Sequence, residues 1–204
     1  MSDKLEKLKA KKTVLYSMIA FWVTFVAIVI VHNITGTAGL HIDYSISKYV
    51  GLTFPSAICF LIVNTAVSIA MWRYLSPKLE NKAQRAILIY IIITLIGLSL
   101  CPIGLFDNII PEPVILGRTP ISFMHVLTSR TMFVAMAAFS LVTFYLGKHK
   151  SEHDKNVQKV CLSFFIYAAI CTVAFIFFPQ VFWAIDIIFE SVYIAYFFMV
   201  VLLF

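Results

Sequence analysis

Six apolar runs, near residues 14–31, 53–72, 86–105, 121–146, 160–178 and 181–204, dominate this chain of 204 residues. Each is long enough, as a helix, to cross the roughly 30 Å hydrocarbon core of a bilayer. Within hydrocarbon a backbone must satisfy its own hydrogen bonds, and runs of this length do so as helices. Composition supports the same conclusion. With 61% hydrophobic and 13% charged residues, against about 25% charged in a soluble domain, the polar surface is too small to enclose a water-facing globule. The expected fold class is therefore all-α: one integral membrane domain over 1–204, a bundle of six transmembrane helices, with 1–12 as a basic segment.

Charge distribution sets the expected orientation. Lys4, Lys7, Lys9, Lys11 and Lys12 precede the first run, and Arg73, Lys78, Lys82 and Arg85 lie between the second and third. Lys148, Lys150, Lys155 and Lys159 lie between the fourth and fifth. The opposite loops carry only Lys48 and Arg118, while Arg130 falls inside the fourth run. Because basic loops stay cytoplasmic, both termini are expected inside. The first run lacks a small-residue cleavage site and ends at His32-Asn33, so it reads as an uncleaved helix and not a signal peptide. Pro179-Gln180 alone separates the last two runs, which makes them antiparallel neighbours. The chain stops within an apolar run at Phe204, so the last helix either ends flush with the membrane or continues beyond this sequence.

Several function classes are excluded or weakened. The net charge of +6 is spread over short loops and forms no stripe with interleaved aromatics, which argues against nucleic acid. Cys59, Cys101, Cys161 and Cys171 all lie in apolar runs without a C-x-x-C pair, so neither a disulfide framework nor a structural zinc site is expected. No haem, retinal or nucleotide motif is present.

The informative residues are those that are costly in a bilayer, where an Arg or Asp costs about 2.5–3.5 kcal/mol. His125 and Arg130 lie on the fourth helix, Asp186 and Glu190 on the sixth. Asp186 and Glu190 are spaced i, i+4 and share one face with Tyr193. At about 1.5 Å per residue, His125 matches Asp186 in depth and Arg130 matches Glu190, so these pairs are expected to meet in the outer half of the membrane. Ser122, His125 and Ser129 form one stripe that continues as Met132 and Met136. Asp107 is expected at the mouth of this vestibule, with His41, Asp43 and Tyr44 if the first loop folds back. A second reading stands beside this one: an Arg–carboxylate pair can equally be a clasp that holds helices together. Asn64 and Ser68 read most simply as interhelical hydrogen bonding, and His32, His41, His149 and His153 as edge or loop residues. His125, Asp186 and Glu190, with Asp107 as a fourth ligand, are also the ingredients of a divalent metal site, although their spacing is not diagnostic.

Three segments resemble the prokaryotic six-helix membrane domain-of-unknown-function family 998, which is related to the Frag/DRAM/Sfk-type proteins. They are Asp43-Tyr44-Ser45-Ile46-Ser47-Lys48-Tyr49-Val50-Gly51, then Cys101-Pro102 followed by Asp107, and Met124-His125-Val126. The resemblance implies a six-helix fold in a prokaryotic cell membrane and makes Pro102, Asp107 and His125 counterparts of family positions. Its eukaryotic relatives are associated with lipid-anchor remodelling and membrane signalling. The sixth helix departs from the family pattern at Phe189-Glu190-Ser191.

Three functions remain open. In the first, a lipid or lipid-linked substrate enters from the outer leaflet. His125 then acts as general base or metal ligand, Asp186 orients it, and Asp107 stands at the mouth. Arg130 holds an anionic group with Glu190 behind it, and Ser129 and Tyr193 complete the binding surface. In the second, the chain is a non-catalytic scaffold or accessory subunit in contact with lipid, a partner membrane protein or a second copy. In the third, the ionisable residues form the relay of a proton-coupled transporter.

Overall fold

A computed structural model describes residues 2–100, 119–146 and 152–204. The described residues form eight helices: α1 (Ser2–Ile34), α2 (Ile46–Val50), α3 (Phe54–Leu75), α4 (Lys82–Leu100), α5 (Pro120–Leu146), α6 (Glu152–Phe177), α7 (Pro179–Ala184) and α8 (Asp186–Leu203). Six of them, α1, α3, α4, α5, α6 and α8, contain a segment long and apolar enough to cross a membrane. The six expected spans are thus present, with shifted ends. The end of the third run at 105, Cys101-Pro102, Asp107, Arg118 and the 147–151 segment with His149 lie outside the described residues.

The last span differs most from expectation. The apolar run at 181–204 is not one helix. Pro179 has no amide hydrogen to donate and restricts Phe178, so the chain leaves α6 and starts the six-residue α7. At Ile185, with φ −130° and ψ 30°, the helix breaks again before α8 begins. Asp186 is therefore the first residue of the final helix, and Glu190 sits just over one turn in. At the end of α1, Gly36 adopts φ 69°, a left-handed turn open to glycine at little cost, and the chain reverses into the first loop.

Sequential long helices pack side by side from α1 to α6, and α8 closes the ring by touching α6, α1 and α5. Aromatic rings pack in its centre. Phe21 of α1 meets Phe60 of α3 at 5.0 Å and Phe198 of α8 at 5.5 Å between ring centroids. On the outside, Val23, Ile62, Ile93, Val134 and Ile170 are all more than half exposed, an apolar perimeter that suits lipid and not water. α6 is the most peripheral, with only 17% of its spanning window buried.

The first loop does fold back. Ser45 caps α2 by accepting from the Lys48 amide at 3.2 Å, and Ile46, Tyr49 and Val50 are buried against α1, α3 and α8. Tyr49 is fully buried. Its hydroxyl accepts from the His41 amide at 2.6 Å and faces the Gly39 carbonyl at 3.1 Å, which ties the loop to its own helix. Tyr44 stacks on His41 with centroids 4.4 Å apart, and the Lys48 ammonium lies 3.5 Å above the Tyr44 ring. The Ile187 amide donates to the Ile42 carbonyl at 3.3 Å, so the first loop and the start of α8 meet at one end of the bundle.

Candidate functional site

A cavity of about 60 Å³, room for a few waters, lies inside the bundle beneath α2. Its polar wall is drawn from four helices: Ser47 of α2, Asn64 of α3, Ser99 of α4, and His125 and Ser129 of α5. Glu190 of α8 completes it, and the remaining wall is apolar, including Phe21, Phe60, Leu95, Met132 and Ile194.

Each polar group has a traceable cause. The Ile46 amide opens α2, so it has no acceptor within its own helix, and it donates to Glu190 Oε2 at 2.9 Å. Glu190 therefore holds α2 in place over the cavity. The Asn64 side-chain nitrogen donates across to α4, to the Leu95 carbonyl at 2.8 Å and to Ser99 Oγ at 2.6 Å. Asn64 is 3% exposed and its amide oxygen has no hydrogen-bond partner. Ser129 Oγ donates to the Val126 carbonyl at 2.9 Å, and the residue lines the cavity from α5. His125 is buried at 5% exposure.

The sequence-derived candidates separate into two groups. His125, Ser129 and Glu190 come together around this cavity. Arg130 does not pair with Glu190 as expected from depth: among the described residues the only ion pair within 4.0 Å is His41 with Asp43, at 3.5 Å. Instead the Arg130 guanidinium lies over the rings of Phe175, at 4.8 Å, and Trp183, at 5.4 Å. The reason is the extra helix α7, which brings Trp183 beside α5, while Glu190 turns to the α2 amide. A guanidinium is stabilised by ring faces as well as by an anion.

Asp186 is buried at the first turn of α8, where the free amides of a helix start favour a carboxylate, and is not part of the cavity wall. Tyr193 is also set apart. Its hydroxyl donates to the Phe133 carbonyl at 2.8 Å, and its ring lies among Phe133, Phe164, Tyr167 and Phe189. No group of three or more His, Cys, Asp or Glu side chains among the described residues is arranged to hold a metal ion.

Sequence reasoning assigned Asn64 to interhelical bonding, which holds for its nitrogen, but the unpartnered oxygen and the residue's place in a cavity wall were not legible. Ser68, one turn on, is fully buried with its hydroxyl unpartnered. Ser99 and the α2 backbone were missed, since nothing in an apolar run or a loop marks a residue as cavity-lining. His32, expected at a membrane edge, is 2% exposed and bonded to Ser56. No family model, curated protein or solved structure matches this chain.

Proposed function

We propose that this chain is a multi-pass protein of a cell membrane that binds the polar end of a lipid or lipid-linked molecule in the cavity beneath α2. The observation that carries this reading is the cavity itself, whose wall brings Asn64, His125, Ser129 and Glu190 together from three helices. Four polar side chains converging in an otherwise apolar enclosure suit a ligand that carries hydroxyl or amide groups. The apolar remainder of the wall suits the adjoining hydrocarbon.

Native mass spectrometry of the detergent-purified chain tests the proposal. Wild type is expected to carry a stoichiometric adduct with the mass of a lipid or lipid-linked species. Ser129→Leu, which fills the cavity with apolar bulk, is expected to lose it at an unchanged melting temperature. Wild type that flies bare, or an adduct retained by Ser129→Leu, rejects the site.

In this reading the cavity faces the outer leaflet, because the basic loops assign both termini to the cytoplasm. With Ser151→Cys in intact cells, a membrane-impermeant thiol reagent is expected to leave the new cysteine unlabelled until the membrane is opened. Labelling from outside reverses the orientation.

One set of observations favours a scaffold instead. Arg130 rests on aromatic rings, Glu190 on a backbone amide, and Tyr193 on a backbone carbonyl, all of which are packing devices.

A further inference from the structure

Away from that cavity, between α1 and α3, a serine and a histidine meet at the edge of a lipid-facing groove. His32 lies in the last turn of α1 and Ser56 is the third residue of α3, so both sit near one end of their spans. Ser56 Oγ is 3.0 Å from His32 Nε2, and the two residues are 9% and 2% exposed. Thr53, the N-cap of α3, orients the pair. Its Oγ1 accepts the Ser56 amide at 3.4 Å and lies 2.8 Å from Ser56 Oγ. With the Thr53 hydroxyl hydrogen directed to Ser56 Oγ, the Ser56 hydrogen goes to His32 Nε2, which then acts as the acceptor nitrogen.

Ser56 is also in the wall of a groove of about 540 Å³ with Ala27, Ile28, Val31, Cys59 and Ile62. That volume falls in the range of ligand sites, about 300–1,000 Å³. Val31, Cys59 and Ile62 are exposed on spanning segments, so the groove opens sideways towards hydrocarbon. A hydroxyl within hydrogen-bond distance of an imidazole, set in an apolar trough within a membrane span, fits one occupant: the fatty acyl chain of a membrane lipid, with its ester carbonyl at Ser56.

We propose that Ser56 is an acyl-accepting nucleophile, activated by His32, that acts on fatty acyl esters seated in the α1–α3 groove. Ser56 Oγ forms a bond to the ester carbonyl carbon while His32 Nε2 takes the hydroxyl proton. The tetrahedral intermediate collapses by breaking the bond to the alcohol oxygen, which leaves with the proton from His32. Water then adds to the acyl-serine through the same imidazole, releasing the fatty acid and restoring Ser56. No electrons are exchanged with any other group. The positive start of α3 favours the developing oxyanion.

The test treats the full chain in detergent with a long-chain alkyl fluorophosphonate and maps the modified peptide by mass. The expected result is one phosphonylated residue, Ser56, absent in Ser56→Ala. In His32→Gln the labelling rate is expected to fall by about 10²–10⁴-fold, the range for loss of a general base. An unmodified Ser56 in folded wild type overturns the proposal, as does modification confined to other residues. Equal rates in wild type and a cooperatively melting His32→Gln overturn the role of His32 and with it the mechanism. Should His32→Gln not fold, the wild-type adduct and its loss in Ser56→Ala decide alone.

Discussion

Tyr193→Ala is expected to destabilise the bundle by about 3–5 kcal/mol, the range for removing a large buried aromatic. Tyr193 is 3% exposed, and its ring centroid lies 4.9 Å from that of Phe133 and 5.0 Å from that of Phe164. These contacts join α8 to α5 and α6, the junction that closes the ring. In lipid the transfer of apolar surface supplies little net drive, because acyl chains are as apolar as the side chains, so helix association rests on dispersion and hydrogen bonds. A void at Tyr193 is enclosed by the bundle and loses both. Tyr193→Phe removes only the hydroxyl bond to the Phe133 carbonyl and is expected to cost about 0.5–1.5 kcal/mol. Thermal unfolding in one detergent separates the two. A Tyr193→Ala protein that melts with Tyr193→Phe shows that the aromatic cluster is not what closes the ring.

Glu190→Ala is expected to release α2 from the mouth of the cavity. The Ile46 amide then has no acceptor, at a cost of about 1–3 kcal/mol. α2 is only five residues long and is too short to hold its own helical state. Hydrogen exchange at residues 46–50 is expected to quicken by one to two orders of magnitude, on the scale of about 1.4 kcal/mol per factor of ten. Glu190→Gln retains a carbonyl oxygen within reach of the same amide and is expected to keep most of the protection. Unchanged exchange in Glu190→Ala means that Tyr49 and Ile46 hold α2 by packing alone, and Glu190 is then free for ligand chemistry.

The contrast between Arg130 and Glu190 shows where reading along the chain stops. Both were recognisable as costly residues, and their matched depths made a mutual pair the simplest way to meet that cost. Depth is one coordinate, however, and pairing needs a second, the rotation of each helix about its axis. That rotation follows from aromatic packing between α5, α6 and α8 and from the break at Ile185, neither of which has a signal in periodicity. Arg130 found ring faces and Glu190 found a loop amide. Each solution satisfies the same requirement with partners distant in sequence, 144 residues away for Glu190 and 45 and 53 residues away for Arg130.

His32 and Ser56 make the same point at shorter range. In the sequence His32 reads as the edge of a span, and nothing singles out Ser56 near the start of the second apolar run. Only the side-by-side packing of α1 and α3 brings Nε2 to Oγ. Asn64 was visible as a polar residue in an apolar run, yet the partner of its nitrogen and the lack of one for its oxygen depend on how α4 lies against α3.

Local physics was enough for the all-helical class and the six spans, whereas the folding back of the first loop stayed conditional until the bundle was assembled. A twenty-residue apolar segment has one way to satisfy its backbone in hydrocarbon, and that way does not depend on its neighbours. The cavity beneath α2, the α1–α3 groove and the partners of the charged residues required the assembled bundle. They depend on which faces of several helices converge, and an apolar surface in lipid carries no strong hydrophobic pattern to declare its inward side.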